Sequence, residues 1–166
     1  MGKVARMTQP TPSASRPRFP SGYGISKDAQ GCLDWDWAAE RLFTARNYWI
    51  CTAREDGSPH AAPVWGLWLD DAVVFATSPQ SRKGRNLARD TRVAIHLESG
   101  DEVVILEGQV ERMELDDRVA DAYEAKYDFR PDVTSGSDGW YRLHPAVAYA
   151  WLEADYPNTA TRFAFS

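Results

Sequence analysis

A chain of 166 residues, 43% apolar and 26% charged, has the length and balance of one globular domain with a full hydrophobic core. Its formal net charge of -5 excludes a dedicated nucleic-acid binder, which needs basic surface to displace phosphate counterions. Two cysteines, Cys32 and Cys51, are too few for a disulfide framework, and His60, His96 and His144 lack metal-ligand spacing, so no metal site is expected.

Residues 1–30 hold Pro10, Pro12, Pro17 and Pro20, with Ser13, Ser15, Arg16 and Arg18, and no apolar run. Such a segment buries too little to offset its ordering entropy, so a flexible tail is expected there, followed by a folded domain over 31–166. It lacks the apolar stretch of a secretory signal, and nothing is long or apolar enough to span a bilayer; a cytoplasmic protein is expected. The first helix is predicted over 34–46, capped by Asp34 or Asp36, with Trp35, Ala38, Ala39, Leu42 and Phe43 on one face. A β-rich run at 48–53 closes on Asp56-Gly57, where glycine accepts the positive φ of a tight turn. Strands at 60–69 and 72–77 flank Asp70-Asp71 and extend an antiparallel meander. A short helix is predicted at 81–89, then strands at 92–98 and 102–113 around Ser99-Gly100-Asp101. A helix at 115–127 aligns Val119, Ala122, Tyr123 and Lys126; the stretch 129–138, with Pro131 and Gly136, reads as a loop. The last strands are 140–152 and 161–165. About six strands in hairpin order, with helices at the connections, give a mainly β fold class, a closed antiparallel barrel.

Chemistry concentrates where the third strand meets the second helix. Thr77 and Ser78 end the strand, and Ser81, Arg82, Lys83 and Arg85 gather at the helix start. Free N–H groups and the helix dipole favour an anion at that point, whereas cations are unfavourable there without one. Hydroxyl donors and fixed cations together describe a phosphate site. The competing reading is a solvated basic first turn.

Ser81-Arg-Lys-Gly84, following Phe75-Ala-Thr77, resembles the flavin-phosphate motif of the pyridoxamine 5'-phosphate oxidase-like, FMN-binding split-barrel superfamily. Pro59-His-Ala-Ala-Pro-Val-Trp65 is similar to the strand beneath the flavin ring, and 85–93 to the helix-to-strand segment of the group. Trp140 to Pro145 with Tyr149-Ala-Trp151 resembles its C-terminal strand, and Thr159 to Phe163 the ending of actinobacterial members, many of which use the deazaflavin coenzyme F-420. The resemblance spans 37–165. It implies a six-stranded split β-barrel homodimer with FMN, or alternatively the deazaflavin, held between subunits, and hydride transfer to or from a small organic substrate.

Carried over position by position, it implies that Ser81, Arg82 and Lys83 hold the phosphate, with Thr77 and Ser78 beside them. Pro63, Val64 and Trp65 then supply contacts to the ring, Arg85 and Arg89 line a longer deazaflavin tail, and Trp151, Arg162 and Gln109 reach the partner's cofactor. Packing in a core or dimer is the rival reading for Trp65 and Trp151, and an ordinary outward strand position for Gln109. Thr161-Arg-Phe-Ala-Phe165 stands where true pyridoxamine phosphate oxidases carry Arg-Leu-His and a further arginine, so vitamin B6 oxidation is not expected. No residue reads as a compulsory acid–base catalyst. The alternative function is non-catalytic binding or storage of a flavin or a tetrapyrrole, heme or biliverdin.

Overall fold

A computed structural model describes residues 10–136 and 139–166. Residues 1–9 of the expected tail and 137–138 of the expected loop lie outside the described residues. Six strands close a barrel in the order β7-β4-β3-β2-β5-β6, with β6 pairing back onto β7. They are β2 (Asn47–Ala53), β3 (Pro59–Leu69), β4 (Ala72–Thr77), β5 (Arg92–His96), β6 (Glu102–Met113) and β7 (Gly139–Leu152). Every neighbouring pair is antiparallel. Two further strands, β1 (Ser13–Ser15) and β8 (Thr161–Ala164), extend the sheet beyond the barrel.

The turns follow from local chemistry. Asp70 and Asp71 both adopt positive φ, 53° and 57°, which matches the handedness of a two-residue hairpin between right-twisted strands. Between β2 and β3, Gly57 takes φ 81° while the Asp56 carboxylate accepts from the Ser58 amide and hydroxyl. Period-two alternation then sends Tyr48, Ile50, Ile95, Val104, Leu106, Leu143 and Ala150 into the barrel, all 0–1% exposed. Helix α1 (Trp35–Thr44) closes this core with Ala38 and Leu42, and the Trp35 ring meets Trp68, Phe163 and Phe165 edge-on. A second cluster joins Leu67, Val74 and Trp140 to Val119, Tyr123 and Tyr127 of α3 (Asp117–Tyr127). Among the described residues, no helix is long and apolar enough to cross a membrane.

Strand β7 organises the outer sheet. One edge pairs with β6 along almost its whole length, while the other pairs with β4 at Gly139–Leu143 and then with β8 at Val147–Ala150. Between β7 and β8 lie a single 3₁₀ turn (Glu153–Asp155) and a four-residue helix, α4 (Tyr156–Thr159), neither legible in the sequence.

The N-terminal segment differs from the tail expected over 1–30. Ser13–Ser15 pair with Arg162–Ala164, and the Arg16 guanidinium donates to four main-chain carbonyls, those of Asp28, Gln30, Asn158 and Ala160. The reason is tertiary: pairing with β8, the Arg16 clasp and the Phe19–Tyr156 ring contact hold this stretch, and composition gives no sign of them.

Candidate functional site

The barrel opens along β3. Residues 59–65 of that strand pair with β2, but the pairing with β4 runs only from Gly66/Phe75 to Leu69/Ala72. Beyond Phe75, β4 departs toward β7, with Ala76 and Thr77 opposite Trp140 and Gly139. Among the described residues, the second edge of 59–65 therefore has no strand partner, and its main-chain groups remain for another acceptor or donor. Pro59, Ala61, Pro63 and Trp65 alternate as exposed positions on that half of the strand.

Helix α2 (Arg82–Arg89) stands beside this split. Ser81 caps it, its hydroxyl accepting from the Gly84 amide at 2.9 Å and lying 2.8 Å from the Thr77 hydroxyl. The predicted phosphate ligand Ser81 thus has a structural duty as well, and Thr77 is tied to the same point. Ser78 and Arg82 are exposed, and Lys83 is half-buried. Arg85 turns back to donate to the Gln80 carbonyl. Glycine is required at 84 because a Cβ there would overlap the Ser78 carbonyl oxygen and the Pro79 backbone. That close approach brings the N-terminal turn of α2 against the end of β4. Asn86, buried, donates to the buried Thr52 hydroxyl at 2.9 Å, and Arg89 donates to the Ala53 carbonyl, so α2 is fastened to the β2–β3 hairpin.

The hairpin adds two residues that the sequence reading passed over. His60, opposite Thr52 in the ladder, and Arg54, in the turn, share one electrostatic neighbourhood with Lys83 and Arg82. Burial first, then the charges of Lys83, Arg54 and Arg82, holds the His60 imidazole below the usual histidine value. Its Nδ1 is buried and has no hydrogen-bond partner. The register implied by Asp56-Gly57 was the available signal, since it sets His60 against Thr52 at the open end of the hairpin.

At the far end of the same half-strand, Trp65 is 40% exposed and stacks on Tyr127, with centroids 4.6 Å apart. The Arg46 guanidinium lies 5.8 Å from both rings. Tyr127 Oη donates toward the Arg46 and Gly66 carbonyls, at 2.6 and 2.7 Å, and Lys126 Nζ donates to the Gly66 carbonyl at 2.8 Å. Burial, with Arg46 nearby, lowers the Lys126 ammonium to about 8. Pro63 and Val64 lie between the two ends, paired with Trp49 and Tyr48.

The remaining predicted residues sit elsewhere. Gln109 lines a groove of about 580 Å³ that also takes in Ala94 and Val147 and runs to Thr52, Ala53 and Pro59 of the β2–β3 hairpin. Trp151 meets Tyr156 edge-on, and Arg162 lies across the ladder from Tyr149. Among the described residues, no hydrogen bond, ion pair or ring contact joins Trp151 or Arg162 to the α2 cleft of the same copy.

Comparison with known proteins agrees with the architecture. The family model for pyridoxamine 5'-phosphate oxidase matches residues 38–152. No curated protein matches the sequence. A conserved hypothetical protein from Mycobacterium tuberculosis is similar in structure, with TM-score 0.64 and 23% identity over 81% of this chain and 90% of its own. An F-420 reductase aligns with TM-score 0.54 and 20% identity, covering 66% of this chain and 94% of that one. A heme-binding protein from Mycobacterium smegmatis aligns with TM-score 0.53 and 20% identity, over 76% and 55% of the two chains. At these identities the likeness is one of fold.

Proposed function

The chain belongs to the pyridoxamine 5'-phosphate oxidase-like split-barrel family, and from that premise we propose that it is an oxidoreductase binding FMN, or alternatively the deazaflavin coenzyme F-420, in the cleft between β3 and α2. The observation that carries this reading is the convergence of Lys83 and Arg82 with the Ser81-capped helix start at one end of an unpaired strand edge, and of an exposed aromatic ring at the other. His60 and Trp65 stand five positions apart on β3, roughly 16 Å at strand rise, and project to opposite faces, so a ligand with an anionic end and a flat end would reach both along the unpaired edge.

The residues fit such a ligand. The α2 N-terminus offers the Arg82 and Lys83 amides to a phosphate, and the two side chains add charge-assisted contacts. Pro63 and Val64 present main chain along the ring's polar edge, and Trp65, braced by Tyr127, supplies a flat wall. The bound cofactor would supply hydride transfer. The chain's own part is to orient the ring, shield one face and hold charge at the phosphate. Trp151 and Arg162, remote within one copy, are assigned to the cleft of a second copy, which makes the active unit a homodimer. The missing histidine in 161–165 keeps vitamin B6 oxidation out of the proposal.

Titration of the purified protein with FMN, with the deazaflavin and with riboflavin tests the reading. Binding of either phosphorylated cofactor, much tighter than riboflavin, supports it; no binding of both overturns it. A second reading, non-catalytic carriage of a tetrapyrrole, draws on His144, whose Nδ1 is buried without a partner and which faces Gln109 in the β6–β7 ladder. A Soret shift on adding heme that His144→Ala removes favours that reading.

A further inference from the structure

The β2–β3 hairpin and α2 meet in a way that leaves one polar atom unexplained. Thr52 and Ala53 of the hairpin are bonded to Asn86 and Arg89 of α2, which holds the two elements in a fixed relation. Inside that junction the His60 Nδ1 is buried without a partner. A buried, unpaired ring nitrogen is costly, and the surrounding charges, Lys83, Arg82 and Arg54, are all donors that cannot accept from it. When Nδ1 carries a proton, as it does in the imidazolium, what it lacks is an acceptor, and an anion among the surrounding cations would supply one.

We infer that His60 is a proton-linked member of the anion site: a phosphate-bearing ligand brings the acceptor that Nδ1 lacks, and the imidazole takes up one proton from solvent as the ligand binds. The inference rests on the reading that the cleft holds a phosphorylated cofactor. Without ligand, burial and three cations disfavour the charged ring. A phosphate dianion among them reverses the local field and favours the imidazolium. The bookkeeping is simple: neutral imidazole plus one solvent proton gives imidazolium, and no electron moves. The charged groups around the ring are Arg54 in the turn and Arg82 and Lys83 on α2. The turn also carries Asp56, whose carboxyl is held below the usual range by Ser58 and stays ionised. The ligand's phosphate loses its second proton near pH 6.

The test follows the His60 ring by NMR in the whole protein, with and without FMN, together with calorimetry in two buffers of different ionisation enthalpy. The expected result is a His60 pKa raised by about one unit or more on FMN binding, fractional proton uptake, and affinity about three- to tenfold greater at pH 6.5 than at pH 8. Riboflavin, without the phosphate, leaves the ring's titration unchanged. H60Q, checked by its melting temperature, binds FMN with no proton uptake and a flat pH profile; H60N serves if the glutamine variant does not fold. R54Q raises the His60 pKa of the free protein. FMN binding with an unmoved His60 titration overturns the inference and leaves the cofactor assignment standing. Should neither FMN nor the deazaflavin bind, the cofactor assignment falls, and inorganic pyrophosphate becomes the probe. A His60 shift then sustains the proton-linked anion site, and its absence overturns it.

Discussion

The two halves of β3 follow opposite rules. From Gly66 to Leu69 the strand pairs with β4, Leu67 and Trp68 are buried, and the Gly66 amide and carbonyl are bonded by the side chains of Tyr127 and Lys126. From Pro59 to Trp65 one edge is unpaired, alternate residues are exposed, and a buried histidine nitrogen has no partner. One strand thus passes from a buried framework into an open stretch, the one that the proposed function gives to the ligand. Stability and binding are separated along its length, so substitutions in one half should be felt mainly in the property that half supplies.

The largest expected effect lies in the paired half. Phe75, fully buried opposite Gly66 and stacked on Tyr141, leaves a cavity when truncated. Phe75→Ala should cost about 3–5 kcal/mol of stability in denaturant unfolding. Next comes Gly84→Ala, which forces α2 away from Ser78 and Pro79. It should weaken FMN binding at least tenfold, at a stability cost of about 1–3 kcal/mol; unchanged affinity would break the comparison, because the close approach would then serve packing alone. Lys83→Ala removes one charge-assisted contact, about 1.5–3 kcal/mol, and should lower affinity for both FMN and the deazaflavin by one to two decades while the melting temperature barely moves.

The smallest effect is a pH dependence. Lys126 is held at about 8 in the fold, against 10.5 for the free side chain. Between those values the unfolded chain binds more protons than the folded one, so the contribution of this group to stability rises with pH from about 8 toward 10. Above that, Tyr48 and Tyr127, both raised by burial, act in the opposite direction. A shallow rise in unfolding free energy between pH 8 and 9.5, absent in Lys126→Met, is the expected result.

What the sequence disclosed was local. Asp56-Gly57 and Asp70-Asp71 announced their hairpins, and the run from Thr77 to Arg85 announced the helix start that Ser81 caps. What it concealed depends on distant pairing. His60 and Arg54 join Lys83 only because the β2–β3 register and the Thr52–Asn86 bond bring the hairpin to α2. Ser13–Ser15 has no periodicity of its own and exists as a strand through its pairing with β8. Gln109, Trp151 and Arg162 carry nothing in their own neighbourhoods that says whether they serve this copy or another.

Arg16 has a consequence for how the molecule can change. Its guanidinium grips Asp28 and Gln30 on one side and Asn158 and Ala160 on the other, so residues 17–27 form a segment closed at its neck, tied to the fold again where the Ser26 amide donates to the Pro157 carbonyl. The entropy of such a closed segment grows slowly with length, about 0.6 kcal/mol for each doubling. Residues can be inserted or exchanged beyond the neck at little thermodynamic cost, provided the clasp is kept. That stretch carries Phe19, packed edge-on against Tyr156, which in turn meets Trp151. The fold thereby holds a replaceable cassette beside the barrel, and new surface chemistry can be tried there without renegotiating the core.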